Sequence, residues 1–344
     1  VTSPDPTLRA ACDAITRAPV KPWDPPRTKL WPNTFLSAKL LLSGTQSVIL
    51  SSAYGLSVGG YKSIVEMQFA DFVSSGFTAV VNLIAKSNYR WSQSSDVVIR
   101  MPCGGGVGAG PFHSQTNEVW FTKVPGLKVV YPSHPYEAKG LLNTSIDDPN
   151  PVMFFEHKNL YRTVSEEIPD SRYVLELGKG KIRNIGSKVS IVTYGLGVHW
   201  ALDLLNEYSK NDLEIIDLNT LIPWDKELVF NSIKKTGKVL LLGEDTIFNS
   251  YIGEISAVIS EEIFEYLDAP VIRVGSLDTP VPFAKNLGVA IGYNKGIKFA
   301  LKQDYEFIVK LDCDFLITKK FLYGMIETFR ENKRKTMKMI KREK

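Results

Sequence analysis

The chain has 344 residues, 44% of them hydrophobic and 23% charged, and a formal net charge of +4. A chain of this length buries more than one core and is expected to form about two domains. The charge is uneven: residues 330–344 carry eight Lys or Arg against two Glu, so the remainder stands at a formal −2 and gives no reason to expect a nucleic-acid partner.

Cys12, Cys103 and Cys313 are odd in number, far apart and without a CxxC pair, which argues against a disulfide framework or a zinc site and for a reducing, cytoplasmic setting. The first residues lack the basic-then-apolar pattern of a signal peptide. The most apolar early segment, LLLSGTQSVILSSAYGLSVGG, is too often interrupted for a spanning helix, so no membrane role is expected.

In chain order, residues 1–35 contain seven prolines and read as a proline-rich head or linker. Small residues among Leu, Ile and Val from Leu36 to Gly60 predict a closely packed helix, with AYGLSVGGYK turning into a buried strand at SIVEMQF. Phe72, Val73, Phe77, Val80, Val81 and Ile84 have helical spacing and predict one helix over 72–91. DVVIRMP is the next strand, and the glycines of CGGGVGAG form a loop at its carboxyl end, where open α/β sheets place ligands. LKVVYPS and PVMFFE are two further strands around the helix YEAKGLLNTSID. After the polar connector 166–186, VSIVTYG, LEIIDLN, KVLLLGE and PVIRVGS alternate with three helical stretches. This alternation predicts an α/β fold with two doubly wound βα domains and parallel sheets covered on both faces.

The motifs VEMQFADF, NYRW, GPFHSQ, PGLKVVYPS, AKGLLN, DPNPVMFFEHKNLYR, VTYGLGVHWAL, IDLNTLIPWD, KKTGKVLLLGED and SLDTPVPFA follow one another from about Ser47 to about Ala284. In order and spacing they resemble the β subunit of the E1 component of 2-oxoacid dehydrogenases, most closely the branched-chain type. The resemblance implies a transketolase-type pyrimidine-binding domain over 36–165 and a C-terminal domain over 187–284. It also implies a cofactor, thiamine diphosphate, shared with an E1 α subunit that holds Mg²⁺ and the diphosphate. An α2β2 assembly and the lipoyl domain of E2 follow as partners.

Carried over residue by residue, the resemblance places Phe72 on the aminopyrimidine ring, where a flat apolar face excludes water, against the simpler reading of a core residue. His113, in HSQ, matches the histidine that assists acyl transfer to a lipoyl arm, and an imidazole moves protons near neutral pH. His134, His157 and His199 are read as structural. Asp148 and Asn150 match the ligand positions of a structural potassium ion, a hard cation suited to oxygen; the plain alternative is a polar turn.

The resemblance fails at the residue the chemistry most needs. The family has a glutamate beside N1′ of the aminopyrimidine, and no Glu precedes Glu66 here. Reading back from AYGLSVGG puts Gln46 in its place, 20 residues before Glu66, whereas reading forward from NTFLS puts Ala38 there. Either way the acid is missing, which implies a disabled site or a foreign N-terminal segment. Beyond Lys285 the chain resembles a fragment of a family 2 glycosyltransferase over about 286–330, where Asp312 and Asp314 form a D-x-D pair able to hold a divalent metal. The chain therefore reads as a composite: head, E1 β body, foreign α/β fragment and a basic tail at 331–344. Three functions stay open: an E1 β subunit of a branched-chain 2-oxoacid dehydrogenase, a glycosyltransferase-like chain using its DxD site, and a catalytically silent assembly module.

Overall fold

The computed structural model describes residues 46–283. The proline-rich head, Ala38, the glycosyltransferase-like stretch with Asp312 and Asp314, and the basic tail lie outside them. Helix α1, Gln46–Val58, buries Leu50, Ala53 and Ser57. It runs through most of the stretch expected to turn, and ends only at Gly59–Gly60. There Gly60 takes φ 84° and the Tyr61 N–H returns to the Leu56 carbonyl at 2.9 Å.

The first sheet contains β1 (Ser63–Glu66), β2 (Val97–Cys103), β3 (Lys128–Val130) and β4 (Val152–His157). Their order is β1-β2-β4-β3, all parallel. β4 is buried along its whole length and β2 at every residue but Arg100, as expected of apolar strands covered on both faces. Between β1 and β2 the expected single helix is three pieces: a 3₁₀ segment at Ala70–Gly76, a π segment at Ala79–Ile84, and α2 at Ser87–Trp91. The apolar spacing still buries Val73, Val80 and Ile84. The hydrogen-bond pattern breaks because the Ser74 and Ser75 hydroxyls bond back to the carbonyls of Asp71 and Phe72. Gly76 also passes so close to α1 that a Cβ would stand 3.0 Å from the Gln46 carbonyl carbon.

The short helices α3 (Val119–Thr122) and α5 (Leu160–Thr163) flank α4 (Pro135–Asp147), the helix expected between β3 and β4. The second sheet holds β5 (Lys181–Asn184), β6 (Val189–Thr193), β7 (Leu213–Asp217), β9 (Val239–Thr246) and β10 (Ile272–Ser276) in the order β10-β9-β6-β7-β5. Helices α6 (Leu196–Asp203), α7 (Lys226–Thr236) and α8 (Tyr251–Glu262) lie where helical periodicity places them. α7 shows its boundaries in sequence: Asp225 accepts from the Leu228 N–H at 3.1 Å, and Gly237 closes the helix at φ 67°.

Two strands depart from the all-parallel expectation. β5 lies within the stretch read as a polar connector, 166–186, and pairs antiparallel with β7. β8 (Thr220–Ile222), although it follows β7 in the chain, leaves the second sheet and pairs antiparallel with β3, at Val129↔Ile222 and Val130↔Thr220. One element of the second half therefore completes the first sheet. Aromatic rings continue the join: Phe121 packs on Phe155 at 6.2 Å between centroids, Phe155 on Tyr131 at 5.7 Å, and Tyr131 on Tyr194 of the second half at 5.4 Å.

Candidate active site

Three segments that leave the carboxyl ends of β1, β2 and β4 meet in one place. The first carries Phe69, Asp71 and Phe72, the second the glycine loop ending in His113-Ser114-Gln115, and the third His157 and Lys158. The His113 imidazole stands edge-on to both phenyl rings, with centroids 5.5 Å from Phe69 and 5.4 Å from Phe72. The two phenyl rings stack at 6.1 Å and 23°. Phe72 and His113, singled out separately in the sequence, are in direct ring contact, and both are half-buried.

Gln46 opens α1 and approaches the same group from a third side. Its Oε1 accepts from the Ser75 hydroxyl at 3.0 Å, and that hydroxyl also reaches the Phe72 carbonyl at 3.3 Å. One hydroxyl proton is thus shared between the Gln46 amide oxygen and the Phe72 backbone carbonyl. The residues offer a flat heterocycle an apolar ring at Phe72 and an amide hydrogen-bonding group at Gln46. They do not supply an acid, because a primary amide has no proton to transfer at neutral pH.

The glycine loop is fixed by groups that the sequence reading did not assign to the site. Gly104 takes φ 86° and donates its N–H to the Gln115 carbonyl at 3.2 Å. Gly105 N–H donates to Glu244 Oε1 at 2.8 Å, so β9 of the second sheet holds the loop of the first. The other Glu244 oxygen lies 2.7 Å from His157 Nε2, although the ring N–H is poorly aligned with it. Asp71 Oδ1 accepts from the Gln115 backbone N–H at 3.1 Å and from its side-chain amide at 3.0 Å. Lys158 donates to the His113 carbonyl, and its Nζ lies 4.2 Å from the centre of the Phe69 ring. The one legible signal for these groups is the charge ending the apolar run VMFFEHK: charged residues are seldom buried without a task.

A cavity of 820 Å³ opens beside this loop, between it and the β9 and β10 ends, lined in part by Gln115, Asn117, Trp120, Glu244 and Asp245. Neither Phe72 nor His113 lines it, so it is separate from the ring cluster. Behind it Glu118 is buried and accepts from the Tyr194 hydroxyl at 2.8 Å. Burial, reinforced by Asp245, pushes the Glu118 carboxyl up to about 8, and burial raises Asp245 to about 6. Cys103 lies 3.0 Å from the Tyr131 hydroxyl with its thiol pushed up by burial, which keeps it protonated and unreactive.

The remaining candidates are apart from this group. Asp148 Oδ1 accepts the backbone and side-chain N–H groups of Asn150, each at 2.9 Å, and the carboxylate is ion-paired with Lys128. A potassium ion there would share the Asp148 carboxylate with the Lys128 ammonium. Among the described residues no cluster of three or more His, Cys, Asp or Glu is placed to hold a metal. His134 and His199 stack at 4.7 Å, with Ser133 bonded to both. Burial, then the nearby Arg183 cation, lowers His134 to about 4.

The 2-oxoisovalerate dehydrogenase subunit beta of Bacillus subtilis is 41% identical over 247 residues, covering 70% of this chain and 76% of that protein. The chain belongs to the family of 2-oxoacid dehydrogenase E1 β subunits. The 2-oxoisovalerate dehydrogenase subunit beta 2 of Arabidopsis thaliana is 43% identical over 68% of this chain and 67% of its own. The pyruvate dehydrogenase E1 component subunit beta of Mycoplasma pneumoniae is 40% identical over 67% and 72%. The family described as transketolase, pyrimidine binding domain matches residues 47–164, and transketolase, C-terminal domain matches 178–296, which runs past Ala284. A split-gene transketolase, solved as an inactive β4 tetramer, shares the fold with a TM-score of 0.58 at 22% identity, covering 73% of this chain and 78% of that one. The two-domain transketolase-type architecture expected from the motifs is the one observed. Within this E1 β frame, the Phe69, Phe72 and His113 cluster belongs to the pyrimidine-binding half, while Glu244 reaches the glycine loop from the C-terminal half. No helix among the described residues is long and apolar enough to cross a membrane.

Proposed function

We propose that this chain is the β half of a thiamine-diphosphate-dependent 2-oxoacid dehydrogenase E1 of branched-chain type, disabled at the residue that activates the cofactor. The observation that supports it is the 5.4 Å contact between Phe72 and His113 beyond the ends of β1 and β2, with Gln46 joined to Phe72 through Ser75. When bound, thiamine diphosphate supplies the carbon that attacks the 2-oxo group and carries the acyl unit. The half-buried Phe72 ring packs on the aminopyrimidine and excludes water from that face. His113, its ring held edge-on to two phenyl groups, gives or takes a proton at its imidazole as the acyl group passes to a lipoyl arm. Gln46 hydrogen-bonds where the acid belongs but has no proton to give.

An E1 α subunit is the partner that completes the site, in an α2β2 assembly served by the lipoyl domain of E2, in the cytoplasm. The branched-chain assignment draws on the names of the Bacillus and Arabidopsis relatives, against a pyruvate-type relative of similar identity.

The test is decarboxylation of 3-methyl-2-oxobutanoate by this chain mixed with a branched-chain E1 α subunit, for the native chain and for Gln46→Glu. Activity that appears or rises sharply in Gln46→Glu is expected. Silence in both with no α subunit bound would defeat the proposal. Gln46 also favours a second reading, a catalytically silent assembly module; α binding with silence in both variants would select it.

A further inference from the structure

Lys158 is only 8% exposed, and among the described residues no carboxylate closes a salt bridge on it. A buried cation without an ion pair is costly to keep. Its backbone is anchored where β4 ends, the N–H donating to the Cys103 carbonyl at 3.0 Å. Among the described residues the ammonium then meets two targets, the His113 carbonyl and the face of Phe69. Phe69 is one of the two rings that flank the His113 imidazole. At the other end of the same triplet, Asp71, 7% exposed, takes both the backbone and the side-chain amide of Gln115. The intervening Ser114 is buried, and its hydroxyl has no partner. A loop freed by its glycines to take many conformations is thus held at both ends of three residues by buried groups of opposite charge. Burial draws the Lys158 ammonium pKa down while the nearby Asp71 and Glu244 carboxylates support its charge.

We propose that Lys158 is the positioning residue for His113, holding its carbonyl and the Phe69 ring beside it, with Asp71 holding Gln115 as the opposing half of one clamp. The assignment rests on the reading of His113 as the acyl-transfer group, and its first test is independent of that reading. In the full chain labelled at histidine, the flanking phenyl rings shift the His113 imidazole signal away from that of an exposed histidine. Lys158→Met is expected to move that signal to the exposed position while His134 and His199 stay in place, and Lys158→Arg is expected to restore it. An unmoved His113 signal in folded Lys158→Met overturns the proposal. If Lys158→Met does not fold, all histidine signals collapse together, and the near-isosteric Asp71→Asn replaces it, judged by the same displacement or its absence.

The second test uses the Gln46→Glu chain assembled with an α subunit. Lys158→Met is expected to slow acylation of the lipoyl domain ~10-fold or more beyond any effect on decarboxylation, since small misplacement of a reacting group is costly. Equal loss of both rates with the His113 signal unmoved would show a general structural support and reject the positioning role. A displaced His113 signal without any separation of the two rates would instead count against the acyl-transfer role of His113.

Discussion

Replacing Gly104 by alanine tests how rigidly the glycine loop is seated. The residue has φ 86°, a left-handed conformation that costs a residue with a Cβ about 1–2 kcal/mol. A Cβ there would stand 2.9 Å from Cε1 of His157, and nearer still to its Nε2 and Cδ2. Ordinary carbon contacts lie at about 3.5–4 Å, so the imidazole must retreat by roughly 1 Å or more. It has nowhere to go: its side chain is fully buried, Nδ1 accepts the Asn159 N–H at 3.2 Å, and Nε2 lies against Glu244. Overpacking of this kind costs about 1–3 kcal/mol, for a total of about 2–5 kcal/mol from a stability of about 5–15 kcal/mol. Gly106 is the control, because it has φ 77° but nothing nearer than 3.7 Å to an added Cβ. Gly106→Ala should therefore lose only the conformational share, about 1–2 kcal/mol. Urea denaturation of the full chain compares the two: the Gly104→Ala midpoint should fall further, with the slope unchanged. Equal midpoints for the two variants would refute the argument, by showing that His157 yields freely.

Three further outcomes follow from buried charge and capping. The Glu118 carboxyl, raised by burial to about 8, holds its proton more tightly folded than unfolded. Its contribution is thus most favourable below the unfolded value of about 4.3, and stability should decline as pH rises from about 5 to about 8. Glu118→Gln should flatten that decline in denaturation midpoints taken across this range; parallel slopes for the two proteins would contradict it. Arg183 joins two buried carboxylates, Glu137 at 2.9 Å and Asp217 at 2.7 Å. Arg183→Met strands Asp217 and leaves Glu137 with Lys181 as its one remaining ion-pair partner among the described residues, and thermal or urea unfolding should register a loss of about 3–5 kcal/mol. Asp225→Ala removes the cap of α7 and the acceptor of the Gly180 N–H at 3.1 Å, for about 1–2 kcal/mol by the same measurement.

Much of the fold was legible because its signals are local. The central strands are continuous apolar runs, α7 carries its own cap and stop, and α4 begins at a proline that suits a first helical turn. Phe72 and His113 were legible through motif resemblance, and Gln46 through the absence of any earlier Glu. The break in the 72–91 stretch was not, since apolar spacing reports which face is buried and not which carbonyl each N–H finds. Lys158 was missed because a lysine beside a strand end looks the same in sequence whether its ammonium meets solvent or a carbonyl.

By itself the sequence determined most of the central strands and the longer helices, much of the core, and that no Glu precedes Glu66. Only the tertiary structure decided that Thr220–Ile222 crosses to the first sheet, that Glu244 reaches the glycine loop, and that Asp71 and Lys158 hold His113 between them. The physical reason is range. Periodicity and capping act within a few residues, whereas a three-residue edge strand or a buried charge takes its meaning from partners 44 to 139 positions away, which no local pattern encodes.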